Sequence, residues 1–328
     1  MIKDIALIGL GYLGKVHLKL LNENPNWNLT GVYDIDKKLT TELAAKYQIK
    51  AFDSIENLLQ NCSVVDIVTP SNTHFDIAHE AIIKGKHVFI EKPVTSALKE
   101  AKQLQLLINE AGICFQVGHV ERFNPAFIAA QPYIQHPKFI EIHRLSQYNI
   151  RGTDVSVVLD LMMHDLDLVL SIVKANVKRI SANGAAFVSK SADIVNARIE
   201  FDNGCVANIT TNRVAFKNIR KFRVFTENNL VSINLLEKIT EVVKIKNLPS
   251  ERSGAAHSSK NMIIEPAFGL PKKEIIFEHP AILPTNAINE ELNAFYYSIN
   301  SNKQTKVGID DSIKVMELAF EIEEKIKT

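Results

Sequence analysis

Cysteine is scarce in this chain of 328 residues, which holds only Cys62, Cys114 and Cys205. The three cysteines lie far apart and form no CxxC pair, so the sequence lacks the spacing of a disulfide framework or a structural zinc site. This pattern predicts a protein of a reducing compartment without a structural zinc.

Charge of one sign and long apolar runs are also missing. The 38 Lys and Arg residues nearly balance the 37 Asp and Glu residues, which leaves a net charge of +1. A nucleic-acid partner is not expected, because such binding usually requires a basic excess or stripe. No stretch approaches the roughly 18 apolar residues of a membrane span. The apolar run of residues 5–13 is broken by Gly9 and Gly11, so it is typical of a strand entering a turn, not of a signal peptide. We expect a cytoplasmic protein with no membrane partner.

The length and the apolar pattern favour two domains. The chain is 46% hydrophobic and 23% charged, as is usual for globular proteins, and a domain has roughly 100–200 residues. Up to residue 118, short apolar runs such as Ile5–Ile8 alternate with stretches of helical period. Strands alternating with helices predict an α/β fold, a doubly wound parallel sheet, over residues 1–118.

After residue 118 the pattern changes. Residues 194–201 alternate between apolar and polar side chains, and an Asn-Gly turn at 203–204 leads into another alternating run. This is the strongest short-range signal of a β-hairpin. We predict that residues 119–328 form an α+β domain with an open, mainly antiparallel sheet, whose C-terminal helices could return to the first domain. The stretch 248–273 is rich in Pro, Ser and Gly and is predicted as a long loop.

A glycine motif, Gly9, Gly11 and Gly14, follows the first predicted strand and opens the first predicted helix. In that context Gly9 would permit a tight turn, and Gly11 would let the backbone approach a pyrophosphate. Gly14 would allow the helix to pack closely on the strand. Together with Tyr12 and Leu13 inside the turn, these glycines form the predicted phosphate-binding part of a dinucleotide site.

Asp34 ends the second predicted strand, 20 residues beyond Gly14. A carboxylate there would accept hydrogen bonds from the adenosine ribose hydroxyls and repel a 2′-phosphate. This favours NAD over NADP, although the nearby Lys37 and Lys38 weaken the preference. A methyltransferase would also place glycines and a carboxylate here, so the motif indicates a nucleotide-like ligand before it indicates a reaction.

Glu91, Lys92 and Pro93 lie at the carboxyl end of a predicted buried strand, where open α/β sheets bind ligands. The lysine could donate a hydrogen bond to a substrate hydroxyl or carbonyl, and burial could adjust its pKa. A strand-end lysine is, on its own, more often a solvated surface residue. His17, on the first predicted helix, is similarly interpreted as a packing or capping residue.

Asp160 and His164 lie four residues apart in a strongly apolar helical stretch. That spacing places both side chains on one face of an α-helix, where burial without partners would be costly. One interpretation is a structural Asp–His pair next to solvent-facing Asp165 and Asp167. The other is a general base, His164, with Asp160 as its orienting partner. No third ligand lies nearby, so a metal site is not predicted.

Further polar residues could contact a substrate. Glu121, Arg122 and Asn124 follow the last strand of the predicted first domain and suit a polar ligand, or else form a crossover loop with capping contacts. Arg144 and Arg151 could clamp an anionic group or be ordinary surface charges.

Taken together and in order, the motifs resemble the Gfo/Idh/MocA (glucose–fructose oxidoreductase / inositol dehydrogenase) family. The resemblance rests on the glycine turn, Thr69–His74, Glu91-Lys92-Pro93, the Asp160–His164 pair and the Phe201–Cys205 hairpin. It implies an N-terminal Rossmann domain and a C-terminal substrate-binding domain with a large sheet that builds homodimers or homotetramers.

The resemblance also implies roles for individual residues. Lys92, Asp160 and His164 would be catalytic and would contact the substrate. The nicotinamide side would be lined by Thr69, Pro70, Asn72, His74 and Glu91. Residues 117–126 and 154–167 resemble the branch of nucleotide-sugar dehydrogenases such as UDP-N-acetylglucosamine 3-dehydrogenase. The implied reaction is NAD-dependent hydride transfer at a sugar secondary alcohol.

Three alternatives stay open. The substrate could be a free sugar, a cyclitol or another small carbonyl compound. The protein could instead sense a dinucleotide without catalysis, although a sensor would not need the Lys, Asp and His set. A methyltransferase would use S-adenosylmethionine and would leave that set without a role.

Overall fold

The computed structural model describes residues 2–149, 155–248, 261–264 and 271–326. Arg151 lies outside these residues. The chain divides into two compact units, of which the first spans Met1–Phe123 with Thr285–Glu317 and the second spans Asn124–Pro284 with Leu318–Thr328. The proposed domain boundary after residue 118 stays a prediction.

The first unit is built on a parallel sheet. Its strands are β1 Lys3–Ile8, β2 Trp27–Tyr33, β3 Lys50–Ala51, β4 Val64–Ile67, β5 His87–Glu91 and β6 Phe115–Gly118. They lie in the order β3-β2-β1-β4-β5-β6, and all neighbours are parallel. This is the strand order of a Rossmann fold, and the predicted doubly wound sheet is confirmed.

The helices of the described residues are distributed over both units. They are α1 Tyr12–Glu23, α2 Lys37–Tyr47, α3 Ile55–Leu59, α4 His74–Ile83, α5 Leu98–Ala111, α6 Pro125–Ala130, α7 Met163–Ile172, α8 Ala287–Ser301 and α9 Ile309–Ile326. The helix α3 begins after Ser54, whose hydroxyl accepts a hydrogen bond from the Asn57 N–H at 3.2 Å, the usual role of an N-cap serine. In the part of the chain that is described, no helix is long and apolar enough to cross a membrane.

Over its described residues, the second unit holds a nine-stranded sheet. Its strands are β7 Phe139–Leu145, β8 Val177–Ala185, β9 Ile194–Phe201, β10 Val206–Asn212, β11 Ile219–Phe225, β12 Asn229–Asn234, β13 Ile239–Asn247, β14 Asn261–Ile264 and β15 Lys273–Glu278. The order is β14-β15-β13-β12-β11-β7-β10-β9-β8. Of these neighbouring pairs, β7 and β10 are parallel and the others antiparallel, which confirms the prediction of a mainly antiparallel sheet.

The prediction of a loop over residues 248–273 is wrong in part. Asn261–Ile264 forms β14, which pairs antiparallel with β15 from Ile264 opposite Lys273 to Asn261 opposite Ile276. Four residues are too few for an alternating pattern to stand out among the surrounding Pro, Ser and Gly residues.

A buried ion pair connects β7 to α7 in the second unit. The Arg144 side chain is 2% exposed, and its Nε and Nη2 each donate to a carboxylate oxygen of Asp165 at 2.8 Å. Arg144 is therefore a core residue, and we drop it as a substrate contact. The interpretation of Asp165 and Asp167 as solvent-facing is wrong, because each is 1% exposed. The partner of Arg144 is 21 residues away, which local sequence patterns do not indicate.

Removal of the Asp165 charge should destabilise the protein. Asp165→Asn leaves a buried guanidinium without its carboxylate, so we expect the free energy of unfolding to fall by about 3 kcal/mol or more. Urea denaturation measures the change. The control is Glu200→Gln, which breaks the exposed Arg198–Glu200 pair and should change stability by less than about 1 kcal/mol. Equal effects of the two substitutions would contradict a structural role for the buried pair.

Candidate active site

The glycine turn after β1 is fixed by steric contact. Gly9 has a φ of +98°, and a Cβ there would lie 2.4 Å from the carbonyl oxygen of Val68. A Cβ on Gly14 would lie 2.1 Å from the Gly9 oxygen, so neither position admits a side chain. Around Gly11, in contrast, a Cβ would meet nothing within 4 Å. Gly11 is the N-cap of α1, so open space lies at a helix N-terminus, which fits the phosphates of a dinucleotide.

Asp34 is held at the end of β2 by backbone N–H groups. Its Oδ2 accepts from Leu10 N–H at 2.6 Å and its Oδ1 from Asp36 N–H at 2.9 Å. These hydrogen bonds fix the carboxylate beside the glycine turn, as a ribose-binding residue requires. The neighbouring Ile35 is 89% exposed. An exposed apolar side chain at this position could pack on an adenine ring, and sequence reasoning overlooked it.

The segments after β4 and β5 are tied together by His74. This residue is 1% exposed, and its ring nitrogens lie 2.8 Å from the Pro93 oxygen and 2.9 Å from the Thr69 oxygen. Burial lowers the pKa of His74. The hydrogen bonds to the two carbonyl oxygens raise this pKa, but by less than burial lowers it. His74 therefore connects the two segments by hydrogen bonds, and almost none of its surface is accessible to a ligand. Of the other residues predicted to line this region, Thr69 is half-buried, and Pro70 and Asn72 are exposed.

Lys92 directly follows β5, so it lies at the same edge of the sheet as the glycine turn and Asp34. Lys92 and Glu91 are both half-buried, and the Lys92–Pro93 peptide is cis. A half-buried lysine at this edge can present its ammonium to a ligand and also contact the protein.

The residues after β6 have structural contacts. Arg122 Nη1 lies 3.5 Å from an Asp311 carboxylate oxygen. Asn124 caps α6, since its Oδ1 accepts from Ala126 N–H at 3.1 Å, and its Nδ2 donates to the Leu235 oxygen at 2.9 Å. Glu121 is 5% exposed. These contacts favour the interpretation as a crossover loop with capping contacts for Arg122 and Asn124.

Asp160 and His164 lie where the helix geometry changes. Asp160 is part of a π-helical turn, Val158–Met162, and His164 follows in the first turn of α7. Both side chains are half-buried. The prediction of a regular helix through this stretch is wrong at its start, and π-helical turns are frequent at functional sites. Among the described residues, no group of three or more His, Cys, Asp or Glu could hold a metal ion.

A polar cavity of about 440 Å³ in the second unit reaches Asp160. The other residues that line it are Ser146, Gln147, Tyr148, Asn149, Leu161, Arg213 and Asn218. Arg213 is 6% exposed, and its Nη2 donates to the Val155 oxygen at 2.7 Å. The amide groups and the guanidinium suit a ligand rich in oxygen atoms. Sequence reasoning missed Arg213, because an arginine after a strand has no signal that separates it from a surface charge.

Models of known protein families match residues in both units. A model described as "Oxidoreductase family, NAD-binding Rossmann fold" matches residues 3–119. A second model, described as the GFO/IDH/MocA C-terminal domain, matches residues 134–231.

Individual relatives agree with the family models. UDP-N-acetylglucosamine 3-dehydrogenase of Acidithiobacillus ferrooxidans is 33% identical over 261 residues, which cover 78% of this chain and 83% of that protein. A solved structure of that enzyme superimposes with a TM-score of 0.87 at 27% identity and covers 100% of this chain and 98% of its own. The scyllo-inositol 2-dehydrogenase (NAD(+)) of Bacillus subtilis is 29% identical over 229 residues, 64% of this chain and 67% of that protein. The chain therefore belongs to the Gfo/Idh/MocA family of NAD-binding oxidoreductases.

Proposed function

We propose that this protein is an NAD-dependent dehydrogenase that transfers a hydride between a secondary alcohol of a nucleotide sugar and the nicotinamide ring. The observation that carries the proposal is the position of Lys92, at the edge of the sheet that also presents the glycine turn and Asp34. The relative that acts on UDP-N-acetylglucosamine, similar over 78% of the chain, supports the substrate class.

The glycine turn and Asp34 would hold the dinucleotide, whose nicotinamide would supply the hydride acceptor for oxidation of the sugar carbon. We assign three tasks to the chain. His164 takes the hydroxyl proton, the Lys92 ammonium stabilises the developing oxyanion, and Asp160 orients and polarises these groups. His164 and Lys92 can exchange roles, since the pKa of either side chain can move toward neutrality.

A cyclitol or free sugar is the second candidate substrate. The relative named scyllo-inositol 2-dehydrogenase favours it, because an inositol ring presents the same secondary alcohols without a nucleotide. In this case Lys92, Asp160 and His164 keep their tasks, and no pyrophosphate contact is needed. Arg151 stays a candidate for that contact only if the substrate is a nucleotide sugar.

We also propose that copies of the chain associate through the sheet of the second unit. Apolar side chains on its strands are exposed, among them Ile239 at 45%, Met262 at 54% and Phe277 at 51%. Exposed apolar patches of this kind are typical of interfaces. Light scattering after size exclusion separates a dimer or tetramer from a monomer.

The catalytic residues are tested by substitution. Lys92→Ala and His164→Ala should each lower turnover at least about a hundredfold and leave NAD affinity nearly unchanged. The assay follows reduced-nicotinamide absorbance with UDP-N-acetylglucosamine and a carbonyl trap, with the exposed Lys99→Ala and His279→Ala as controls. Full turnover in both test variants would refute the assignment. Turnover of inositols alone would select the cyclitol alternative, and NAD binding without any turnover would indicate a sensor.

Asp34 should determine the preference for NAD over NADP. Asp34→Asn removes the charge that repels a 2′-phosphate, so the ratio of kcat/KM for NAD to that for NADP should fall at least about tenfold. The matched control is Asp36→Asn, an exposed carboxylate two residues away that caps α2. An unchanged ratio in Asp34→Asn, or an equal change in the control, would be inconsistent with this role.

A further inference from the structure

Four titratable side chains meet inside the first unit, next to the strand end that carries Lys92. They come from four elements: His17 from α1, Asp66 from β4, Glu91 from β5 and Glu291 from α8. The Nδ1 atom of His17 lies 2.8 Å from Asp66 Oδ2, and its Nε2 atom lies 3.3 Å from Glu91 Oε1. The side chains of His17 and Asp66 are fully buried, whereas that of Glu91 is 13% exposed. The imidazole therefore connects the interior of the sheet to the half-buried Glu91.

The contacts of His17 favour a cation. Its Nδ1 is hydrogen-bonded to Asp66, and its Nε2 lies within ion-pair distance of Glu91, so both ring nitrogens face carboxylate oxygens, which only accept hydrogen bonds when ionised. Burial alone would lower the pKa of His17. The charges and hydrogen bonds of Asp66 and Glu91 outweigh burial and raise this pKa well above its usual value.

Glu291 completes the cluster, and its burial favours the neutral acid. It is fully buried, and neither carboxylate oxygen has a hydrogen-bond partner among the described residues. Burial raises the pKa of Glu291 well above its usual value, and the carboxylates of Glu91 and Asp66 raise it further. Burial also raises the pKa of Asp66, but there the charge and hydrogen bond of His17 oppose it. His17 therefore lies between the carboxyl groups of Asp66 and Glu91.

Gly118 confines Glu91 from the other side. Glu91 and Gly118 are paired residues on the parallel strands β5 and β6. A Cβ on Gly118 would lie 2.7 Å from Glu91 Oε1, so the carboxylate occupies the space that a larger residue would need. Glu91 is thus held between the imidazolium of His17 and the backbone of β6.

We propose that His17 is a positioning residue: anchored on Asp66, it fixes the Glu91 carboxylate and, through it, the strand end that presents Lys92. The inference rests on the proposed function, because Lys92 is the residue to which we assign oxyanion stabilisation. A helix-bound histidine is suited to this task, since its hydrogen bond to Asp66 is buried, directional and strong. This anchor holds its Nε2 at 3.3 Å from the Glu91 carboxylate.

The charge of His17 can be tested without any turnover. In protein with ¹⁵N-labelled histidine, the ring signals that His17→Gln removes should show the imidazolium form at about pH 7.5. In Asp66→Asn those signals should show the neutral form at the same pH. A neutral His17 in the unsubstituted protein would overturn the proposal, even if the protein proves to have another substrate.

Coupling to Glu91 is tested by a double-substitution cycle. His17→Gln should lower kcat at least about tenfold with a change in KM of less than about threefold, and should have little further effect in a Glu91→Gln background. The matched control is His87→Gln at the other end of β5, where the ring accepts a hydrogen bond from Cys114 N–H. Additive effects of the two substitutions would refute action through Glu91.

Gly118→Ala gives an independent test if His17→Gln does not fold. The added methyl displaces the Glu91 carboxylate and leaves all four titratable groups in place. We expect the same loss of kcat as in His17→Gln, and circular dichroism confirms folding. Wild-type kcat in a folded Gly118→Ala variant would overturn the positioning role. If the unsubstituted protein turns over no sugar or cyclitol, the proposed function fails and the imidazole spectrum alone decides the inference on His17.

Discussion

In a parallel sheet every strand ends at the same edge, and the functional site of the first unit depends on this constraint. The glycine turn after β1, Asp34 after β2, Thr69 after β4 and Lys92 after β5 are far apart in sequence. The sheet brings them to one edge, because their strands are hydrogen-bonded in parallel register. The strands themselves are buried and mostly apolar, so polar chemistry is restricted to their ends. Asp66 inside β4 and Gln116 inside β6 are buried polar exceptions: Asp66 is paired with His17, and Gln116 Nε2 donates to the Glu291 backbone oxygen at 2.8 Å.

Features with a local cause could be predicted from the sequence. The glycine turn has a local signal in the spacing of its glycines, and a Cβ at Gly14 would collide with Gly9 in the same turn, whereas a Cβ at Gly9 would collide with the distant Val68. The cap at Ser54 is also local. The π-helical turn at Val158–Met162 could not be predicted, because five residues are too few to distinguish its period from that of an α-helix. The partners in an ion pair such as Arg144 with Asp165 depend on which strand packs against which helix. Tertiary structure determines this packing, so local sequence does not reveal the partners.

The same limit explains why His17 was interpreted as a packing or capping residue. A single histidine on an amphipathic helix has no local signal for a functional role. Its partner Asp66 is 49 residues away, and Glu91 and Glu291 come from two further elements. Only the meeting of these four side chains, three of them fully buried, shows that their charges must be balanced within the cluster, because an isolated buried charge is very unfavourable. The functional meaning of such a residue therefore depends on its surroundings more than on its type.

In both units, a buried ion pair lies next to a proposed catalytic residue. In the first unit, Glu91 precedes Lys92 and lies 3.3 Å from His17, which is hydrogen-bonded to Asp66. In the second, Asp165 follows His164 and accepts two hydrogen bonds from Arg144. Apolar packing allows small rotations and shifts, whereas a buried charged hydrogen bond has a defined length and direction. Buried pairs of this kind contribute little net stability compared with apolar residues of similar volume. We infer that their value here is orientation: each fixes the backbone beside a side chain whose position must match that of the reacting atoms.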